Sequence, residues 1–292
     1  MTSSFDIYTA HFGLRERPFS LVPDPGFLYW SPAHRRALAI LEYGILTRAP
    51  ITLITGEIGA GKTTLLHHVL KSVDASVRVG LVANATGGRG ELIRWVLLSL
   101  DQPAAPEEGY VELFARFQAF LIAEYAAGRR VILIFDEAQN LGREALEELR
   151  MFTNINTNKD ELLQLVLVGQ PELRDMVRGA GMTQFAQRIA AAFHLPAMTA
   201  EGVPAYIAHR LSVAGVTREI FSPEAAALIH ERTGGVPRLV NQLCDLAMVY
   251  AYTMDAEKID AAIVQQVLDD GVFFADRGEA PPEPVVSEEK VD

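Results

Sequence analysis

Residues 51–64, ITLITGEIGAGKTT, constrain the fold more than any other stretch, because a β-branched apolar run turns through glycines directly into a helix carrying a lysine. Ile51 to Thr55 has the composition of a buried strand, and Thr63 to Val73 (TTLLHHVLKSV) has helical spacing. Between them Gly56, Gly61, Lys62 and Thr63 satisfy G-x-x-x-x-G-K-[ST]. In such a loop backbone N–H groups wrap the phosphates of a nucleotide, the lysine reaches the β/γ-phosphates and the hydroxyl holds Mg2+. The expected cradle is Gly56, Glu57, Ile58, Gly59, Ala60, Gly61, Lys62, Thr63 and Thr64.

At 292 residues the chain has room for a nucleotide-binding domain and a smaller one. A formal charge of −11 weighs against a surface built to hold a nucleic-acid backbone, which needs lysine and arginine, although a local basic patch stays open. Cys244 is the only cysteine, so no intrachain disulfide forms and nothing points to an oxidising compartment. The N-terminus lacks an uninterrupted apolar signal core, and no run approaches the roughly 18 apolar residues of a spanning helix. A soluble cytoplasmic protein without direct membrane insertion is the expectation.

Residues 1–50 form an expected arm and helix. Phe12, Phe19, Phe27 and Tyr29 lie among prolines and glycines, which suits an ordered, wrapped segment. Ser31-Pro32 reads as an N-cap with a first-turn proline, and Ala37, Leu38, Leu41 and Ile45 mark one face of the helix that follows. Feeding directly into the strand at Ile51, this helix would set the arm beside the nucleotide base; packing of the aromatic residues onto the core is the alternative.

Val77 to Ala83 reads as a second strand ending at Asn84, and Leu92–Leu100 and Tyr110–Tyr125 read as packing helices. The third strand, Val131 to Phe135, has five apolar residues in a row, as in a strand buried on both faces. It ends in Asp136-Glu137. An acidic pair at the carboxyl end of a strand, about 75 residues after the lysine, is the second half of a phosphate-loop site. Asp136 coordinates Mg2+ directly or through water, and Glu137 polarises the attacking water. Leu162 to Val168 is another buried strand, tipped by Gly169-Gln170-Pro171, and Gln170 there can sense a γ-phosphate. Ala191 to Leu195 completes a doubly wound parallel α/β sheet over residues 51–198.

From Thr199 the β pattern stops, and helices at about 200–214, 223–232, 237–252 and 261–269 predict a small all-helical domain over 199–270. Arg238 falls in the first turn of the third of these helices, where a cation opposes the helix dipole. It either faces an anion such as the nucleotide phosphates or is a surface arginine. Residues 271–292 read as an acidic, proline-containing disordered tail.

These residues form a set. FGL at 12–14, Pro18-Phe19, Pro23-Asp24-Pro25, FLY at 27–29, His34, the phosphate loop, DEAQNL at 136–141, VGQPEL at 168–173 and GGVPRLVN at 234–241 resemble, in order, the AAA+ ATPases of the general secretion pathway protein A type. The resemblance covers about residues 8–270 and implies an ATP hydrolase in which Lys62 and Thr63 bind phosphates and Mg2+, Asp136 holds Mg2+ and Glu137 orients the water. It implies further that Gln170 occupies the sensor-1 position, where asparagine or threonine is more usual, and that Arg238 is sensor 2. Asn84 looks like the residue that restrains the catalytic glutamate until a partner engages, or is a plain strand-end cap. Arg188, before the last strand, falls where the family places an arginine finger acting in trans within a homo-oligomeric ring or filament.

Membrane-bound members of this type continue into a transmembrane helix and a periplasmic peptidoglycan-binding domain, whereas this chain ends in the acidic tail, so it is not expected to couple ATP to the cell wall itself. Relatives of similar length are associated with polysaccharide export. The resemblance therefore implies a cytoplasmic ATPase that drives or regulates an envelope secretion or export system, peripheral to the inner membrane through a partner protein. The alternatives are an ATP-dependent DNA-binding adaptor resembling the helper ATPases of transposition, and an ATP-gated scaffold with little turnover.

Overall fold

The computed structural model describes residues 7–22, 24–71, 73–74, 76–83, 90–155 and 161–274. Asn84 and nearly all of the acidic tail lie outside the described residues. The chain forms two compact units, one comprising Trp30–Pro196 and the other the described parts of Met1–Tyr29 and Ala197–Asp292. After a short first helix α1 (Thr9–Phe12), the α/β unit runs α2 (Pro32–Leu46), β1 (Ile51–Gly56), α3 (Lys62–Leu70), β2 (Val77–Ala83), α4 (Leu92–Ser99), α5 (Tyr110–Ala126), β3 (Arg130–Asp136), α6 (Gly142–Phe152), β4 (Leu163–Gly169), α7 (Pro171–Arg178), α8 (Thr183–Ala186) and β5 (Ile189–Leu195).

The five strands pair in parallel in the order β2-β3-β4-β1-β5. All residues of β1 and β4 are buried, as are the five central residues of β3, because helices cover both faces of the sheet. Alternation assigns those faces. Leu53, Leu133, Phe135, Leu165 and Leu167 join the side chains of α4, α5 and α6 in one core. Ile54, Ile132, Ile134, Val166 and Val168 point the other way, onto Leu41 of α2 and Leu66 and Val69 of α3. Helix α2 begins as its sequence predicts: Ser31 is the N-cap, its hydroxyl accepts from His34 N–H, and Pro32 occupies the first turn.

Register decides what meets at the carboxyl edge of the sheet. Thr55 of β1 pairs with Gly169 of β4, and Phe135 of β3 pairs with Leu167 of β4. The residues that follow these three adjacent strands, from Gly56, from Asp136 and from Gln170, therefore emerge side by side.

The second unit contains α9 (Gly202–Val213), α10 (Pro223–Thr233), α11 (Pro237–Thr253) and α12 (Ala261–Asp269). Ser222 and Asp260 cap α10 and α12 with side-chain oxygens. The expected 1–50 segment is divided between the units. Tyr8, Phe12, Phe19 and Phe27 are core residues of the helical bundle, whereas α2 packs with the sheet. Within the helical unit Arg210 is buried, donates to Pro18 O at 2.6 Å and lies with its guanidinium carbon 4.5 Å from the Phe27 ring centre. Tyr8 and Arg17 both donate to the Asp245 carboxylate. A guanidinium that finds carbonyl and aromatic partners can be buried without a carboxylate of its own.

Candidate functional site

The loop between β1 and α3 closes around its own lysine. Lys62 is buried, and Nζ donates to the carbonyls of Gly56 and Glu57 at 2.8 Å each. Burial lowers its pKa, against the opposing pull of the Glu137, Asp136, Glu57 and Glu172 carboxylates. Gly59 and Gly61 have φ of 74° and 87°, so the tight turn needs residues without a Cβ. Ala60 is buried, Ile58 and Thr63 are exposed, and Glu57 and Thr64 are half-buried.

Thr63 and Asp136 meet across the two elements: Thr63 Oγ1 donates to Asp136 Oδ2 at 2.9 Å, and Asp136 Oδ1 accepts from Glu137 N–H at 3.0 Å. Two hard oxygen ligands about 2.9 Å apart match the edge of an octahedron with Mg2+–oxygen distances of about 2.0–2.1 Å. Among the described residues no group of three or more His, Cys, Asp or Glu could hold a metal, and Thr63 with Asp136 would supply two of the six oxygen ligands of Mg2+. A buried ammonium, a glycine turn at a helix N-terminus and this oxygen pair suit a magnesium nucleotide.

Glu137 adopts a left-handed backbone, φ 53° and ψ 39°, uncommon for a residue with a side chain. Its Oε2 accepts from Gln139 Nε2 at 2.6 Å and from Gln170 Nε2 at 3.0 Å. Burial pushes the carboxyl pKa up, but these two amides and the Lys62 charge together outweigh it, and the net shift is downward. The carboxylate is therefore held ionised.

The structure thus brings together the loop residues Gly56 to Thr64 with Asp136, Glu137 and Gln170. It does not bring Arg188 to them. Arg188 precedes β5, whose Ile189 is level with Ile51 at the start of β1, so it lies at the amino edge of the sheet. Its guanidinium donates to Thr153 Oγ1 at 2.8 Å and to Asn154 Oδ1. Arg238 is exposed in the first turn of α11 in the helical unit.

Sequence reasoning assigned no role to two residues that the geometry places in the site. Gln139 belongs to the DEAQ stretch, but its contact with Glu137 depends on the left-handed turn. His34 on α2 reaches the loop across 26 residues: its Nε2 lies 2.9 Å from Ala60 O, and its Nδ1 lies 2.8 Å from Ser31 Oγ. A carbonyl only accepts, so Nε2 carries a proton, and in the neutral ring Nδ1 accepts from the serine hydroxyl. Burial lowers its pKa, partly offset by the bond to Ala60.

Residues 46–177 match the family described as AAA domain. General secretion pathway protein A of Aeromonas hydrophila is 40% identical over 253 residues, which cover 87% of this chain and 46% of that relative. The chain thus spans about half of the relative's length. Among solved structures, Aeropyrum pernix ORC2 in its ADPNP-ADP complexes superimposes with a TM-score of 0.61 at 19% identity, over 87% of this chain and 71% of that one. Drosophila ORC bound to DNA gives a TM-score of 0.70 at 14% identity, over 93% and 68%. At these identities the likeness to both structures is one of fold. Together with the phosphate loop, the Asp136-Glu137 strand tip and the five-stranded parallel sheet, these similarities show an AAA+ P-loop fold in a chain whose residues 46–177 match the AAA domain family and which is similar to general secretion pathway protein A.

Proposed function

We propose that the chain binds ATP with Mg2+ and hydrolyses it. One observation carries this reading: Lys62, the Thr63–Asp136 pair, Glu137 and Gln170 converge at the carboxyl ends of three adjacent strands. Lys62 neutralises the β- and γ-phosphates, and Thr63 and Asp136 hold the cation. Mg2+ held by these two residues would offset the charge that develops on the phosphates. Both amides take Oε2 of Glu137, so Oε1 is the atom assigned to orient the attacking water and accept its proton. Gln170, at the tip of β4, reports γ-phosphate occupancy.

In this reading the site is completed by a homo-oligomeric neighbour, whose Arg188 serves as the finger in trans, and Arg238 is assigned as the sensor-2 residue. Asn84 stands as the residue that restrains Glu137 until a partner engages. The similarity to general secretion pathway protein A supports a role in a secretion system, and the reading assigns the ATPase to the cytoplasmic side of an envelope secretion or export system, held at the inner membrane by a partner protein. Among the described residues no helix is long and apolar enough to cross a membrane.

Phosphate release from ATP by the full chain, compared with Glu137→Gln, tests the chemistry. The variant is expected to bind ATP as tightly as the parent and to lose turnover about 100-fold or more. Equal turnover would remove Glu137 from its role, and tight ATP binding without turnover in the parent would favour a nucleotide-gated scaffold.

A further inference from the structure

Glu137 is held by a closed ring of hydrogen bonds in which Gln139 has the central place. The Gln139 amide uses both ends. Its NH2 donates to Glu137 Oε2 at 2.6 Å, and its Oε1 accepts from the backbone N–H of Gln170 at 3.0 Å. The Gln170 side chain then returns to the same Glu137 oxygen at 3.0 Å. These partners fix the amide's orientation, since a flip would set its oxygen against the carboxylate and its NH2 against an N–H.

Two features hold the ring in place. The left-handed conformation of Glu137 turns the chain into the 3-10 segment Ala138–Leu141, so that a side chain two residues on points back at the carboxylate. Gly169 leaves the space that the amide fills, because a Cβ there would lie 2.9 Å from Gln139 Oε1. Strained backbone persists where its surroundings over-determine it.

We propose that Gln139 is a positioning residue that couples the tip of β4 to Glu137, so that a movement of Gln170 is transmitted to the carboxylate. This inference rests on the hydrolytic reading of Glu137. Gln139 itself touches neither phosphate nor water in this scheme.

The test uses two variants of the full chain at pH 8. Gln139→Glu keeps an acceptor for the Gln170 N–H but replaces the donor to Glu137 with a second carboxylate. Gln139→Leu removes both bonds at similar size. Gln139→Glu is expected to lower kcat about 10-fold or more with KM within about 3-fold, and to leave hydrogen exchange at the Gln170 amide unchanged. Gln139→Leu is expected to lower kcat similarly and also to speed Gln170 exchange about 10-fold, measured without nucleotide. Parental kcat in Gln139→Glu, or unchanged Gln170 exchange in Gln139→Leu, overturns the coupling. Absence of turnover in the parent overturns the hydrolytic reading instead, while the exchange measurement still decides whether Gln139 links the strand tip to the loop after β3.

Discussion

Thr63 Oγ1 donates to Asp136 Oδ2 at 2.9 Å, tying the first turn of α3 to the tip of β3 by oxygen atoms alone. Thr63 is exposed, so this contact contributes little to folding stability, and its value lies in ligand binding. Thr63→Val keeps the shape and removes the oxygen. Its Tm without ligand is expected to stay within about 2 °C of the parent, because surface changes fall within about 0.5 kcal/mol. The rise in Tm produced by ATP is expected to become insensitive to Mg2+, whereas Thr63→Ser retains the response. A calorimetric or dye-based melt with ATP, with and without Mg2+, checks this.

His34 adds a pH dependence. The ring is buried, and burial holds its pKa below the ordinary 6.5. The unfolded chain therefore binds this proton at higher pH than the folded one. Stability from His34 is complete above pH 6.5 and is lost as the pH falls below that value toward the lowered folded pKa, by at most about 1.4 kcal/mol per pH unit. His194, also lowered by burial and by the Arg174 charge, acts in the same direction. His34→Gln places an N–H donor near Ala60 O without a titrating group. It is expected to flatten the pH dependence of urea midpoints between pH 5 and 6.5 and to hold ATP affinity within about 3-fold at pH 8. His34→Leu is expected to weaken ATP binding about 2–10-fold, the worth of one hydrogen bond to the loop.

The parts of this molecule legible in its sequence are those set by local chemistry. Apolar runs marked β1, β3 and β4, Ser31, Ser222 and Asp260 marked helix starts, and G-x-x-x-x-G-K-T marked the loop. Strand order was not legible, since a run of valines and leucines does not say which run it pairs with. Nor was the division of the first 50 residues: Phe12 and Phe19 have no helical or strand period, and their place in the bundle depends on residues about 200 positions away. Gln139 and His34, though part of the resembling set, carried no legible role for the same reason. One needs a left-handed turn at Glu137, and the other needs α2 to lie across the phosphate loop.

Arg188 lies at the opposite edge of the sheet from Lys62, so the proposed finger role is one at a neighbour's site. Arg188→Ala is expected to lower turnover about 1,000-fold or more while leaving ATP binding intact. Lys62→Ala is expected to abolish binding. In an equimolar mixture, random assortment gives roughly a quarter of interfaces both an intact lysine and an intact arginine, so turnover should recover toward a quarter of the parental rate. Recovery absent under conditions where the mixed oligomer forms would rule out action in trans.

Gly235 tests the helical unit separately from the sheet. Its φ is 71°, and a Cβ there would fall 2.0 Å from the backbone oxygen of Met198, an overlap that no side-chain rotation relieves. The two segments are also joined by Met198 N–H donating to Gly235 O at 2.9 Å. Gly271 supplies the comparison, with φ 66° and nothing within 4 Å of the added carbon. Gly271→Ala should therefore register the backbone penalty alone, about 1–2 kcal/mol. Gly235→Ala must in addition push the chain at Met198 away from α11, and about 1–3 kcal/mol more is expected from the overlap. Chemical denaturation followed by hydrogen exchange in α9 to α12 checks the ranking. Because Arg238 lies three residues beyond Gly235, the same variant should also weaken ATP binding if Arg238 contacts the nucleotide, whereas Gly271→Ala should not.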